Sequence, residues 1–427
     1  MIINSGRFQP LENKNQKAFS EQNLKTLFTF DAKLKVEPPL SISTFQHSFF
    51  NTFCMKILPF RAVLPNLDRV PHSNDFFDTV KFRYHDFAAE GLFEPAEPDA
   101  MYIYQIRDAD GRKFTGLIAA ADINEYLHGN IRLHEKTIVE NEAKQAELLC
   151  IRGAAIKPIL LTYPADAELN ALIINYLERH RKFFVIELGG DKHRFWQITE
   201  GLVLKKIRQI FNDRIPHVYL ADGHHRSASF AELYRQQPTA KTEKLPCAFF
   251  ADNELKINAF HRLVRDLNGL SADDFLEKLA TVFTVEPLEN AALPTAKFEL
   301  TMYVSNKWFR LKWLPDVLKN FAEGLVQLDV HLLNEKVLKP ILGIKNIRAD
   351  KRMSYLEGGK SLKSIEKATT LPPSEGLRGE NTEGCVFCLF PVEFSDLKAV
   401  VDSEGTMPPK STFFEPRMKN GLLVYEI

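Results

Sequence analysis

The sequence predicts an α+β protein built from mixed sheets with hairpins, with a smaller C-terminal α/β subdomain. Three observations carry that expectation. First, β-type runs flank short polar turns twice: 101–106 and 113–120 around Asp108-Ala109-Asp110-Gly111, and 183–188 and 193–198 around Gly189-Gly190-Asp191. Such spacing gives adjacent antiparallel strands. Second, the helical patterns between strands do not alternate regularly enough for a doubly wound parallel sheet. Third, an apolar run at 217–221 ends in Asp222-Gly223 and turns at once into a helical pattern with Phe230, Leu233 and Tyr234.

The elements follow in order. Residues 1–54 are rich in Asn, Gln, Phe and Lys without periodicity. They lack the charged start and apolar core of a secretory signal. They read as a poorly ordered extension, or as the product of a misassigned start, because Met55-Lys-Ile-Leu-Pro-Phe-Arg-Ala62 looks like a natural beginning. The main domain is expected over 55–270. It holds an amphipathic helix at 76–91, the first hairpin, a short helix at 123–128, and an apolar run from Ile131 leading to His134-Glu135-Lys136-Thr137. A charged helix with Glu140, Glu142, Lys144 and Glu147 follows. A buried strand at 158–164, helices at 167–182 and 202–211, and strands at 245–250 and 257–262 complete it. The C-terminal subdomain is expected over 271–427, with a helix at 271–282, strands at 297–304 and 307–313, a helix at 326–338 and a strand at 385–391.

Composition bounds the function classes. Hydrophobic residues make up 45% and charged residues 26%, ordinary for a globular chain, and 33 phenylalanines suit well-filled cores. The formal net charge is zero, so no global field points to nucleic acid or membrane. No apolar run approaches the ~20 residues of a membrane span. Five cysteines without secretory context imply a reduced, cytoplasmic protein. Cys385 and Cys388 have redox or zinc spacing, but no second pair completes four ligands, and a structural role in an apolar strand is the simpler reading.

The chemistry concentrates in Asp222-Gly223-His224-His225-Arg226-Ser227. This segment opens a helix, whose first N–H groups lack partners and whose dipole is positive there. Gly223 leaves room for close approach to the backbone, and Arg226 offers a bidentate fork for phosphate or carboxylate. The turn is therefore expected to bind an anion, most simply phosphate. The competing reading is a corner capped by Asp222 with surface histidines. Three weaker segments accompany it. Glu135 is a candidate general base, and Thr137 a candidate anion donor, at a helix entry. Lys351 and Arg352 sit in a dense polar stretch at 350–359, which reads equally as an exposed loop. Lys410, Ser411 and Thr412 follow Pro408-Pro409 in a stiff loop able to close over an anion.

Taken in order, these segments resemble an uncharacterised bacterial and archaeal family, domain of unknown function 1015. The resemblance rests on Lys56–Ala62, the His134–Thr137 box, Tyr219–Arg226, Arg352–Gly358 and Met407–Phe413. It departs from the family where many members carry Pro-Pro-Tyr-Asp, since this chain reads Leu64-Pro-Asn-Leu-Asp-Arg-Val-Pro71 there. A looser similarity links Asp-Gly-x-His-Arg before a helix to the phosphate-binding motif of the ParB/sulfiredoxin fold, whose members bind nucleotides and include free-serine kinases. That similarity implies a ParB/sulfiredoxin-like phosphate-binding core, with Gly223, His224, His225, Arg226 and Ser227 around nucleotide phosphates.

The leading functional expectation is a kinase-like phosphotransferase acting on a small metabolite, with serine or phosphoserine the most specific candidate. ATP or ADP and Mg2+ would be its cofactors. Glu135, Asp222, His224 and His225 are the candidate catalytic residues, and Asp222 the candidate metal ligand. Gly223, Arg226, Ser227, Arg352, Lys410 and Ser411 would bind the nucleotide. The alternatives are a non-catalytic, ParB-like nucleotide-binding regulator, and a metal-dependent hydrolase using His134, His224 and His225. The oligomeric state is not legible.

Overall fold

The computed structural model describes residues 55–135, 139–320, 326–370 and 384–427. The expected extension at 1–54 and Thr137 lie outside the described residues, as do the side chains of Glu140, Glu142 and Lys144.

The chain is α+β, with mixed sheets and hairpins. The larger sheet has nine strands: β1 (Ile57–Leu58), β2 (Met101–Arg107), β3 (Lys113–Asp122), β4 (Ile131–Arg132), β5 (Ile159–Tyr163), β6 (Phe184–Leu188), β7 (Asp191–Ile198), β8 (Val218–Asp222) and β9 (Lys244–Ala251). They run in the order β4-β8-β5-β9-β3-β2-β7-β6, with β1 beside β3. Both expected hairpins are present: Arg107 pairs with Lys113 across β2–β3, and Leu188 pairs with Asp191 across β6–β7. β4 and β8 are parallel, as are β5 and β9. Helices α1 (Asn74–Ala89), α2 (Ile123–Leu127), α3 (Val139–Arg152), α4 (Ala167–Arg179), α5 (Gly201–Arg214) and α6 (His224–Gln236) connect these strands. Their starts follow local chemistry: the Ser73, Asp122 and Asp166 side chains accept from Phe76, Asn124 and Leu169 N–H.

The second sheet has six strands: β10 (Phe260–Val264), β11 (Phe283–Leu288), β12 (Glu299–Val304), β13 (Lys307–Trp313), β14 (Met353–Glu357) and β15 (Cys385–Leu389), in the order β11-β13-β12-β15-β10-β14. Buried residues of both sheets share one large core, from Met55 through Leu300 and Phe387 to Tyr425, and Leu263, Tyr303, Trp308, Val386 and Cys388 of the second sheet pack in a smaller cluster with Ile365. Among the described residues no helix is long and apolar enough to cross a membrane. Cys385 and Cys388 are buried in β15 and not joined in a disulfide.

Several elements differ from expectation. The run at 257–262 is two strands. Lys256–Asn258 pairs with Phe413–Glu415, and β10 pairs with β14 and β15. One straight strand cannot serve both pairings, so the chain breaks at Ala259. The polar stretch at 350–359 contains β14, because its backbone completes the edge of β10. Residues 326–328 are not helical. The helix begins at Asp329 and its second half, Asn334–Leu338, is wound as a π-helix. Strand β11 and the helices Leu362–Thr370 and Phe394–Asp402 are not among the expected elements, although both helices are amphipathic.

Candidate functional site

Parallel pairing assembles the site. Val218 lies opposite Ile131 and Tyr219 opposite Arg132, so β4 and β8 leave the sheet at the same end. β4 runs into His134-Glu135 and β8 into Asp222-Gly223, which places the two polar segments side by side. The His134 and His224 rings meet edge-to-face with centroids 4.5 Å apart. A third segment arrives from the C-terminal part of the chain, fixed by the pairing of Phe413–Glu415 with Lys256–Asn258. Its Met407 N–H donates to the His134 carbonyl at 2.8 Å. Its Lys410 N–H donates to Glu135 Oε1 at 3.2 Å, and Thr412 Oγ1 shares a 3.2 Å hydrogen bond with His134 Nε2.

The Asp222–Arg226 turn opens α6 as expected, but its internal bonding is different. Gly223 holds φ +114° and is the residue at which α6 begins, with no side-chain cap. A Cβ there would lie 3.0 Å from Arg226 Nη2, so position 223 needs glycine for both backbone and space. Asp222 does not cap the helix. Its Oδ2 accepts from Arg226 Nη2 at 2.6 Å and lies 3.8 Å from Lys157 Nζ, while its Oδ1 accepts from Arg417 Nη1 at 3.1 Å. Burial pushes the Asp222 carboxyl up, but Arg226, Lys157 and Arg417 outweigh it and hold the group below its ordinary value. Arg226 Nη1 donates to the carbonyls of Lys157 and Pro158 at 2.9 and 2.7 Å. The expected phosphate fork thus braces the start of β5 against the turn.

The remaining expected residues divide. Ser227 is buried and its hydroxyl donates to the His224 carbonyl at 3.0 Å, inside the first helical turn. His225 is exposed. His224 is pushed well below its ordinary value by burial and by His134, and its Nε2 has no hydrogen-bond partner among the described residues. His134 is pushed down to about 4 by burial, so it is neutral at pH 7. Burial raises Glu135, against the Lys410 N–H and the charges of Lys410, Arg348 and Arg262. A raised carboxyl is the better proton acceptor near neutral pH. Ser411 turns into its own loop, donating to the Pro408 carbonyl at 2.5 Å. Arg352 binds Asp350 at 2.8 Å and the Leu342 carbonyl at 3.0 Å, and Lys351 is exposed. Arg352 is thus spent on Asp350 and the Leu342 carbonyl rather than on Glu135 or Asp222. The three histidines do not form a metal site: among the described residues no group of three or more His, Cys, Asp or Glu could hold an ion.

Sequence reading missed or undervalued five cations, one of them Arg348, whose charge acts on Glu135. Lys157 precedes the apolar run of β5 and carries no motif. Arg417 and Lys419 follow the last recognised segment. Arg262 drew notice only as half of an ordinary polar pair, yet it is fully buried. Its guanidinium donates to the carbonyls of Phe260, Pro409 and Lys410 and lies 4.7 Å from the centre of the Tyr355 ring. It therefore fixes the backbone that presents the Lys410 N–H to Glu135. Lys410 itself sits at φ +56°, with Nζ 5.3 Å from the centre of the Phe260 ring.

Among solved structures the chain is similar to three proteins. SbnI with a C-terminal truncation from Staphylococcus aureus is 14% identical, over 71% of this chain and 84% of that one, with a TM-score of 0.35. A free serine kinase variant in complex with ADP is 11% identical, over 72% and 92%, with a TM-score of 0.34. A conserved hypothetical protein from Pyrococcus furiosus is 12% identical, over 72% and 95%, with a TM-score of 0.32. No curated protein matches the chain by sequence. A family model described as protein of unknown function (DUF1015) matches residues 61–331, and the chain belongs to that family.

Proposed function

We propose that the protein binds a nucleotide by its phosphates at the Asp222–Arg226 turn and transfers a phosphoryl group to the hydroxyl of a small metabolite. Serine is the most specific acceptor we name. The observation that carries this reading is the meeting of three segments remote in sequence: the base-bearing His134-Glu135, the turn at the start of α6, and the 407–412 loop. Phosphoryl transfer needs positioned cations and N–H groups more than it needs covalent help from the protein. A helix N-terminus beside an excess of cations supplies both.

In this reading the Glu135 carboxylate takes the proton of the acceptor hydroxyl as its oxygen bonds to phosphorus. The bond from phosphorus to the nucleotide's leaving oxygen breaks, and the electron pair departs with the nucleotide. Lys410 balances charge beside Glu135, and Arg262 keeps the Lys410 backbone in place. Neutral His134 and His224 separate the base from the turn without adding a charge. A magnesium ion does not fit at Asp222, whose two oxygens are committed to Arg226 and Arg417, so no step is assigned to one there. We take the protein to act in the cytoplasm.

The test is thermal shift of the full chain against ATP, ADP, serine and phosphoserine, each with and without Mg2+. Binding to the native state raises the melting temperature by mass action. The expected result is a nucleotide-dependent shift together with phosphoserine formation from ATP and serine. Shift without product from any hydroxyl metabolite would replace the enzyme by a nucleotide-binding regulator. No shift with either nucleotide would overturn the reading.

A further inference from the structure

Charge around the turn does not balance. Lys157, Arg226 and Arg417 all lie within 4 Å of an Asp222 oxygen. Three cations facing one carboxylate leave two positive charges unmatched, and His224 and His134 beside them are held neutral by burial. Lys419 acts on Lys157 as a further like charge. The repulsion is felt: burial, then Arg226, Arg417 and Lys419, lower the Lys157 ammonium to about 8 against the pull of Asp222. An arrangement of this kind is stabilised by an incoming multivalent anion.

The cations are not equivalent. Arg226 has Nη1 on two backbone carbonyls and Nη2 on Asp222, so its fork is spent on the fold. Arg152, near Arg226, likewise donates to the carbonyls of Ala154 and Lys81. Lys157 meets only Asp222 among the described residues, at a loose 3.8 Å, and its side chain is 18% exposed. Arg417 gives one nitrogen to Asp222, packs 4.2 Å from the centre of the Phe413 ring, and is 41% exposed. Two cations with donors to spare therefore converge on the same carboxylate, one from the start of β5 and one from the C-terminal segment.

We propose that Lys157 and Arg417 are the phosphate-binding cations of the site, and that its ligand carries at least two phosphate charges, as a pyrophosphate group does. This inference rests on the reading that the turn binds phosphate, and it transfers the role expected of Arg226 to two residues that no motif marks. It also makes the site depend on a segment well past residue 331, where the family match ends. Arg417 reaches Asp222 only because Phe413–Glu415 pairs with Lys256–Asn258.

The experiment is isothermal titration of the full chain with pyrophosphate and with inorganic phosphate. It compares wild type with Arg417→Gln, Lys157→Met, the double variant, Arg417→Lys, and Arg181→Gln as an exposed control. Losing a charge-assisted contact should weaken pyrophosphate about tenfold or more per single variant, and further in the double. Arg417→Lys should keep part of the affinity because it keeps the charge, and Arg181→Gln should keep all of it. Inorganic phosphate should bind more weakly than pyrophosphate throughout. Wild-type affinity in the folded double variant would overturn this assignment while leaving the phosphate reading intact. If wild type bound neither pyrophosphate nor phosphate, both would fall together.

Discussion

Asp222 and Glu135 are both carboxylates near arginine and lysine, at neighbouring ends of two parallel strands, yet their environments oppose one another. Asp222 has three cationic groups within 4 Å, two of them hydrogen-bonded, and its carboxyl is held below its ordinary value. Glu135 accepts one backbone N–H, meets its cations only at longer range, and its carboxyl is raised by burial. What separates them is hydrogen-bonded contact: a carboxylate locked by guanidinium groups anchors charge, while one buried with a single donor is poised to take a proton. In the reading we propose, the turn supplies structure and charge, and the box beside it takes the proton.

The sharpest way to break that division is Glu135→Gln. Turnover of ATP with the acceptor should fall about 10²–10⁴-fold, the usual worth of a general base, while nucleotide affinity changes little. Single-turnover kinetics with titration of ADP separates the two, and an equal loss in both would make Glu135 a binding residue. Next in size is Arg226→Ala. It leaves the Lys157 and Pro158 carbonyls and the Asp222 carboxylate short of a donor, and should cost about 2–3 kcal/mol of stability by urea unfolding. Nucleotide binding should be lost with it, because the turn loses its brace. Binding loss without a stability change would mean that Arg226 meets the ligand directly.

Gly223→Ala probes the same turn more gently. A left-handed backbone and the close approach of Arg226 should together cost about 1–2 kcal/mol, read as a lowered unfolding midpoint. A neutral outcome would show that the turn relaxes. The smallest effect is in pH. Glu135 must be deprotonated to accept a proton, so turnover rises as pH climbs through its raised value. Lys157 must be protonated to attract phosphate. With its ammonium lowered to about 8, nucleotide affinity should fall as pH passes 8. Lys157→Met should flatten that alkaline fall and leave the acid limb in place. A fall that persists in the variant would assign it to another group.

Local pattern made much of this legible. Both hairpins announce themselves by paired β-type runs around Gly-rich turns, and α6 by Gly223 followed by apolar spacing, because these signals act within a few residues of one another. Elements whose form depends on a distant partner did not show. β14 sits inside a stretch crowded with charged residues and glycines and is recognised as a strand by its pairing along β10, and the run at 257–262 divides because two different sheets claim its halves. The same holds in the site. Glu135, Asp222, Gly223 and Lys410 were marked by motif, and all four stand in the cluster. Arg352 was marked too, but Asp350 and the Leu342 carbonyl hold it elsewhere.

By itself the sequence determined the α+β class, the hairpins, the helix that opens at Gly223 and the family to which the chain belongs. Each of these is written in short-range periodicity, in turn chemistry or in contiguous motifs. Only the tertiary structure decided which cations surround Asp222, that Arg226 braces backbone, and that buried Arg262 holds Lys410 against Glu135. Those facts depend on the parallel register of β4 with β8 and on the return of 413–415 to 256–258. A side chain's partners are set by which strands pair, and pairing between residues far apart in the sequence leaves no local trace in the chain.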